Sequence, residues 1–330
     1  MNILNDTSYT SHSVFDLTSC TLCPRKCGVD RTKGERGFCG CLNEIRAARA
    51  ALLYDEEPCI SGQCGSGGVF FCGCNLGCIF CQNTELSSLH YDAAESLPGT
   101  FVSPEHLASI FLHLQEQGAA NINLVTPSPF LGLIIPALKS AKDKGLSIPI
   151  VYNTSSYEKV EAIRALDGLV DIYLPDLKFY SKELSLRWTG TDNYWDYATS
   201  AIDEMVRQCP DVLFADGSSE LNEEDDRDIP LMKRGVIVRH LVMPGQKEDS
   251  KKVLRYLYDH YGNQIFYSIM NQYTPMPQCE NDPVLSHPVN KKEYDEVVDF
   301  AILIGIENGF IQEDKTVSKS FIPSFDGTGL

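Results

Sequence analysis

The sequence has no long apolar run. Nowhere in its 330 residues does an uninterrupted hydrophobic stretch reach the length a bilayer crossing needs, and the opening MNILNDTSYTSHSVFDLTSC lacks the basic end and apolar core of an export signal. A cytoplasmic chain with no membrane partner is therefore expected. Positive charge is scarce as well: 28 Lys and Arg stand against 45 Asp and Glu, a formal net charge of -17 at pH 7. Such a field repels a phosphate backbone and excludes nucleic acid as a general partner. One stretch runs against this balance: between Arg25 and Arg49 the cations Arg25, Lys26, Arg31, Lys33, Arg36, Arg46 and Arg49 outnumber Asp30, Glu35 and Glu44. What the chain does have is 43% hydrophobic content, enough to fill the core of one large barrel or of two ordinary domains.

Cysteine is nearly absent beyond residue 81, where Cys209 and Cys279 stand alone, whereas eleven of the 13 cysteines fall between Cys20 and Cys81. In a small exported domain such crowding would be a disulfide framework. In a chain of this size without an export signal it points to metal ligation in a reducing compartment. Two groups stand out. Cys20, Cys23, Cys27 and Cys39 supply four sulfurs around a Pro24 turn, with Cys41 to spare; four ligands close a site, as in structural zinc or an auxiliary 4Fe-4S cluster. Cys74, Cys78 and Cys81 form C-x3-C-x2-C within CGCNLGCIFCQN. Three thiolates on so short a turn suit a cubane that keeps one iron open. Cys72 belongs to the strand before the loop and is read as a small buried side chain, and Cys59 and Cys64 as peripheral thiols.

From residue 68 onward, short runs rich in Val, Ile and Tyr alternate with segments of helical period. Strands are expected at 68–73, 122–125, 148–153, 171–177, 236–242 and 264–270, each followed by a helix. In the first helix Ser103 caps, Pro104 suits the first turn, Leu107, Ile110, Phe111 and Leu114 share a face, and Gly118 ends it. The last, from Lys291 to about Ile304, buries Tyr294, Val297, Ala301 and Ile304 by the same spacing. Six units are too few for the closed barrel of eight. The expected fold is α/β, an open partial (β/α)6 barrel over 66–330 with its site at the strand C-termini, preceded by a Cys-rich metal-binding extension over 1–65. ADGSSELNEEDDRD, residues 215–228, reads as an acidic surface loop. His240 alternates to the face opposite Arg239 and is expected to pack, as are Tyr152, Tyr157 and Tyr173.

The C-x3-C-x2-C leaving the first strand, with Phe80 just before its last cysteine, resembles the signature of the radical SAM superfamily. What the resemblance implies is a 4Fe-4S cluster on Cys74, Cys78 and Cys81 whose open iron takes the amino and carboxylate groups of S-adenosylmethionine (SAM) and delivers an electron that yields a 5′-deoxyadenosyl radical. The polar strand ends NLVTPSP, Asn153-Thr154-Ser155, LPDLK and VRHLVMPG are similar to those of glycyl-radical-enzyme activating enzymes, the pyruvate formate-lyase activase group. There a DLK motif and an Arg before PG contact SAM, and Asp176, Lys178 and Arg239 occupy those places. The resemblance thus implies Lys178 and Arg239 for the SAM carboxylate and ribose region, and the Phe80 backbone for adenine. Three departures bear on this. The group's GGE is replaced by Thr126-Pro127-Ser128, which makes Thr126 and Ser128 candidates for the SAM amino group. Asn153 stands where an aspartate is common, so a cation site partnered by Asp176 has lost a charge. MNQYTPMP replaces a histidine-containing motif, with Gln272 or Tyr273 as substitute. The segments CPRKCGVDR, NINLVTP, IVYNTSSYE, DIYLPDLKF, VRHLVMPG and QYTP resemble a narrower activase-like branch, over residue 20 to the end.

The activity so implied is removal of a hydrogen atom from a backbone glycine of a partner enzyme. A flavodoxin- or ferredoxin-like electron donor would dock on the basic stretch, beside an N-terminal cluster acting as relay; a plain solvated loop is the alternative. A second reading keeps the radical chemistry and gives it another peptide or a small molecule. A third is an iron-sulfur electron-transfer or sensing protein, which would consume no SAM.

Overall fold

The six βα units expected from residue 68 onward are all formed in the computed structural model, which describes residues 14–87, 98–221, 229–312 and 324–330. Strands β2 (Ser66–Phe71), β4 (Ile122–Val125), β5 (Ile150–Thr154), β6 (Ile172–Pro175), β8 (Met232–Leu241) and β9 (Phe266–Met270) lie side by side and parallel in that order. At one edge β10 (Gly309–Ile311) adds parallel to β9; at the other, β1 (Ile45–Leu53) pairs antiparallel with β2, and β3 (Thr100–Val102) with β1. A two-residue β7 (Leu213–Phe214) pairs with β8 off this path. The path of strands has two free ends, so the sheet is an open, partial barrel. No helix among the described residues is long and apolar enough to cross a membrane.

The helices are α1 (Pro58–Ser61), α2 (Pro104–Glu116), α3 (Leu131–Asp143), α4 (Val160–Arg164), α5 (Lys182–Thr189), α6 (Tyr194–Gln208), α7 (Lys247–Tyr261) and α8 (Lys291–Ile304). Their limits follow local chemistry. Helix α2 starts where the Ser103 hydroxyl accepts the His106 N–H with Pro104 in the first turn, and it buries Leu107, Ile110, Phe111 and Leu114. Each such side chain stabilises the fold by about 1.5–3 kcal/mol. Asn290 caps α8 in the same way, and Gly305 ends it.

Strand alternation divides the core in two. Val151, Ile172, Leu174, Ile237 and Phe266 face one side, where they pack with Cys59 and Ile60 of α1 and with Phe214 and Met232. Those residues plug the space enclosed by the curved sheet. Two residues on from Val151, Leu174 and Ile237, the same faces carry Asn153, Asp176 and Arg239. The opposite faces carry Tyr152, Tyr173, Val236 and Val238 into the larger core. His240 lies there too, 2% exposed, and packs as alternation predicts.

Strand β1 was not visible in the periodicity of the first 65 residues. IRAARAALL is rich in helix formers, and pairing with β2 overrides that preference. The Leu53 side chain fills the space beside Gly68, where a Cβ would stand 2.3 Å from Leu53 Cδ1, so a larger residue there requires Leu53 to shift. Arg31 is buried and ties the preceding segment to the barrel, its Nη1 donating to the Pro129 carbonyl at 2.8 Å and its Nη2 to that of Leu42 at 2.5 Å. Of the acidic insertion, residues 215–217 are exposed, and 222–228 lie outside the described residues.

Candidate active site

Strand β2 ends at Phe71, and the loop beyond it places Cys74, Cys78 and Cys81 on the wall of a cavity of about 330 Å³. That size suits a small-molecule ligand. The loop is held from several sides. Gly73 N–H donates to Leu86 O at 2.7 Å, Ile79 N–H to Trp188 O at 2.9 Å, and Cys81 N–H to Cys78 O at 3.2 Å. Gly77 takes φ +70°, the left-handed turn that lets the Leu76 and Gly77 amides face the Cys74 sulfur. The Arg25 guanidinium braces the outside: Nε donates to Asn75 O at 3.0 Å, Nη2 to Leu76 O and Thr189 O at 2.8 Å each, and Nη1 to Gly190 O at 3.1 Å. Its flat face covers the Phe38 ring at 3.7 Å. Asn75 adds a bond from Nδ2 to Tyr157 O at 2.6 Å.

Burial dominates the chemistry of these thiols. It raises all three, Cys81 to about 12, while the Lys178 ammonium pulls the other way. A thiol this buried stays protonated at neutral pH unless a metal takes the place of its proton. Among the described residues, no three His, Cys, Asp or Glu groups converge as they would on one ion. A cubane requires something else, because each thiolate binds its own iron. The three cysteines share one wall with a neighbouring cation, and that donor set fits such a cluster.

Around the same cavity stand Phe80, Thr126, Asn153, Asp176, Lys178, Arg239 and Gln272. Arg239 Nε donates to Asp176 Oδ1 at 2.8 Å and Nη2 to Asn153 Oδ1 at 2.6 Å, while Lys178 Nζ meets Asp176 Oδ2 at 2.6 Å. Burial works against the Asp176 carboxylate, but Arg239 and Lys178 outweigh it and hold its pKa below the usual range. The Arg239 guanidinium thus spans Asn153 and Asp176, a cation held by one amide oxygen and one carboxylate. Phe80 is buried edge-on against Phe179, Trp188 and Tyr273. Thr126 sits at φ +58°, uncommon for a β-branched residue and consistent with a backbone shaped for the site. Gln272 accepts from Gln312 at 3.3 Å.

Ser128 lies elsewhere. It is buried off the cavity wall, and its hydroxyl donates to Glu158 Oε1, which also accepts from Tyr152 at 3.0 Å and Thr154 at 2.8 Å. Burial raises the Glu158 pKa against the pull of those three hydroxyls. Sequence reading also missed Arg25 as a brace and Glu56 on the cavity wall. The adjacent Glu56-Glu57 pair, acidic between a strand and a buried helix, was the available signal.

The N-terminal cysteines sit beside this loop. Cys23 N-terminal to the Arg25 brace feels the charges of Cys39, Glu158 and Cys27, and burial pushes it up to about 12. Cys39 is held low by a hydrogen bond with Cys41, and its charge is felt at Cys74. The Cys23 carbonyl accepts from Lys26 N–H at 3.1 Å, the turn expected at Pro24. The basic stretch has much internal work: Arg46 donates to Pro98 O at 2.8 Å and Arg49 to Ser324 O at 2.9 Å, alongside Arg25 and Arg31.

Residues 69–232, which include the three-cysteine loop and the Asp176–Lys178 pair, match the radical SAM superfamily. The chain carries a radical SAM domain. A radical SAM domain implies a 4Fe-4S cluster and SAM. Among curated proteins, the uncharacterized protein MJ0674 of Methanocaldococcus jannaschii is 28% identical over 311 residues, 90% of this chain and 81% of its own length. Among solved structures, a domain of pyruvate-formate lyase-activating enzyme from Bacteroides vulgatus is similar with a TM-score of 0.38 and 11% identity, over 56% of this chain and 91% of that one. Streptococcus suis SuiB bound to SAM is similar with a TM-score of 0.46 and 13% identity, over 73% of this chain. The chain spans about half of SuiB, 48% of its length.

Proposed function

We propose that this radical SAM protein cleaves SAM reductively and uses the resulting radical to take a hydrogen atom from a backbone glycine of a partner protein. The observation that carries the reading is the placement of Cys74, Cys78 and Cys81 with Asp176, Lys178 and Arg239 around one cavity. When bound, the cluster supplies the electron that converts SAM into methionine and a 5′-deoxyadenosyl radical. The protein's own residues do the rest. Cys74, Cys78 and Cys81 hold three corners of the cluster. Lys178 and Arg239, oriented by Asp176, meet the SAM carboxylate and ribose, and the Phe80 backbone meets adenine. Thr126 and Gln272 complete the polar wall, and the apolar plug below excludes water from the radical. The glycine assignment is supported by the DLK and PG strand ends. Cys20, Cys23, Cys27 and Cys39 are proposed as a second iron-sulfur site, where each thiolate binds its own iron; the zinc alternative, which needs the four sulfurs on one point, is not supported by their placement, and metal content distinguishes the two.

Anaerobically reconstituted and reduced protein should release 5′-deoxyadenosine from SAM, and adding SAM should shift the paramagnetic spectrum of the reduced cluster. Cys78→Ala should abolish both. A partner deuterated at glycine should pass deuterium into the 5′-deoxyadenosine; label arriving from a small molecule instead would retire the glycine assignment and keep the radical one.

A further inference from the structure

We infer that residues 324–330 close the side of the cavity at the open edge of the barrel, with Phe325 as a positioning residue that holds the Phe70 ring on the cavity wall and keeps water and oxygen from the cysteine loop. The inference rests on the radical reading above, because a radical formed in the cavity survives only where solvent is kept out. Strand β1 is where the barrel opens. Its partner β3 covers only Ile45, Arg46 and Ala47, so from Ala48 onward the outer edge of β1 meets no further strand among the described residues.

Residues 324–330 occupy that edge. Gly327 N–H donates to Ala48 O at 3.0 Å, and Ala50 N–H donates to Thr328 O at 2.9 Å. The approach is close: a Cβ on Gly329, which sits at φ +78°, would stand 2.0 Å from Ala50 O. Side chains then fasten the segment to the cavity side of the sheet. Arg49 and Phe70 are register partners on β1 and β2 and share a face, the face that also carries Leu53, four residues on from Arg49. Phe70 and Leu53 both line the cavity. On this face Arg49 Nη1 donates to Ser324 O at 2.9 Å and to Ser324 Oγ at 3.2 Å, and it meets Asp326 Oδ1 at 3.4 Å. Between those two residues the Phe325 ring stands edge-on to Phe70, with centroids 5.4 Å apart.

Guarding a sheet edge against a second chain would need only the two backbone bonds. The guanidinium and the ring do something more, since they tie three consecutive residues to side chains of the face that lines the cavity. Phe70 is 5% exposed, and Phe325 is half-buried against it. Without Phe325 the Phe70 ring would lose its packing partner and gain room to change rotamer. Its movement would open a passage beside β2, the strand that delivers Cys74, Cys78 and Cys81.

Solvent access to the reconstituted cluster tests this in the full chain, in Phe325→Ala and Phe325→Leu, and in a variant lacking 324–330. Two readouts report it with SAM saturating: the rate at which the cluster loses its visible absorbance in air, and the deuterium coupling of the reduced cluster by pulsed paramagnetic resonance in D2O. Phe325→Ala and the deletion should speed bleaching at least about threefold, the change in open fraction that one lost aromatic pair brings, and should strengthen the deuterium coupling. Phe325→Leu, which keeps an apolar side chain on Phe70, should recover most of both. Hydrogen exchange at the Ala50 amide reports the seating of the segment without reference to the cluster, and the deletion should speed it. Unchanged bleaching and coupling despite faster Ala50 exchange would reduce the segment to an edge cover and overturn the inference, as would Ala50 exchange that the deletion leaves untouched. Where the deletion fails to fold, the Phe325→Ala and Phe325→Leu pair decides. Release of 5′-deoxyadenosine by the full chain separates the two failures: release with no effect of Phe325 sinks only the closure, and a Phe325 effect without release sinks the radical reading.

Discussion

Glu56 shows how much a single side chain's surroundings decide. Burial, joined by the neighbouring Glu57, pushes its carboxyl up to about 7 against the pull of Arg239. The folded chain then binds more protons than the unfolded one between pH 4.5 and about 7, so this group's contribution to stability falls as pH rises through that window. Denaturant unfolding at a series of pH values should show Glu56→Gln flattening that fall, with the variant gaining most above pH 7. Arg25 acts at the same scale through geometry. Its fork holds the carbonyls of Asn75 and Leu76 inside the cysteine loop. Arg25→Ala should leave the secondary structure intact by circular dichroism but lower iron loading and broaden the spectrum of the reduced cluster. Arg25→Lys should recover only part of both, because an ammonium cannot span the four carbonyls.

At the scale of elements, the junction of β1 with β2 is the sensitive one. Strand β2 is buried along its whole length and delivers the cysteine loop, so its register against β1 fixes where Cys74 begins. Gly68→Val would drive a side chain into Leu53 and should destabilise the fold by roughly 1–3 kcal/mol. A lowered denaturation midpoint at unchanged m-value checks this. The helices were easier to read than this strand. Ser103 with Pro104, and Asn290 with Gly305, announce their ends by local chemistry alone. IRAARAALL carries no such mark, because nothing within the segment says that β2 will be its partner. The two-residue β7 and three-residue β10 were missed for a similar reason, being too short to show alternation.

For the whole molecule, the N-terminal segment and the barrel share a sheet, a buried arginine anchor and the brace on the cysteine loop. Metal and fold should therefore be coupled. Chelating the iron under anaerobic conditions should lower the unfolding temperature in a single transition, and reconstitution should restore it. About four irons per chain would count one cubane, and about eight would count two. Two separate transitions would show instead that the N-terminal segment folds apart from the barrel.

The sequence by itself determined the alternation of six strands and helices, the openness of the barrel and the spacing of Cys74, Cys78 and Cys81, since periodicity and short-range spacing are local properties of a chain. It also carried the strand ends that set Asp176, Lys178 and Arg239 on one rim. Only the tertiary structure decided that Ser128 turns away to Glu158, that Arg25 and Arg31 serve backbone carbonyls, and that Glu56 comes to the cavity wall near Arg239. Ser128 and Glu158 are 30 positions apart, Arg31 and Pro129 98, and Arg25 and Thr189 164, and such partners are fixed by packing rather than by any neighbour in the chain.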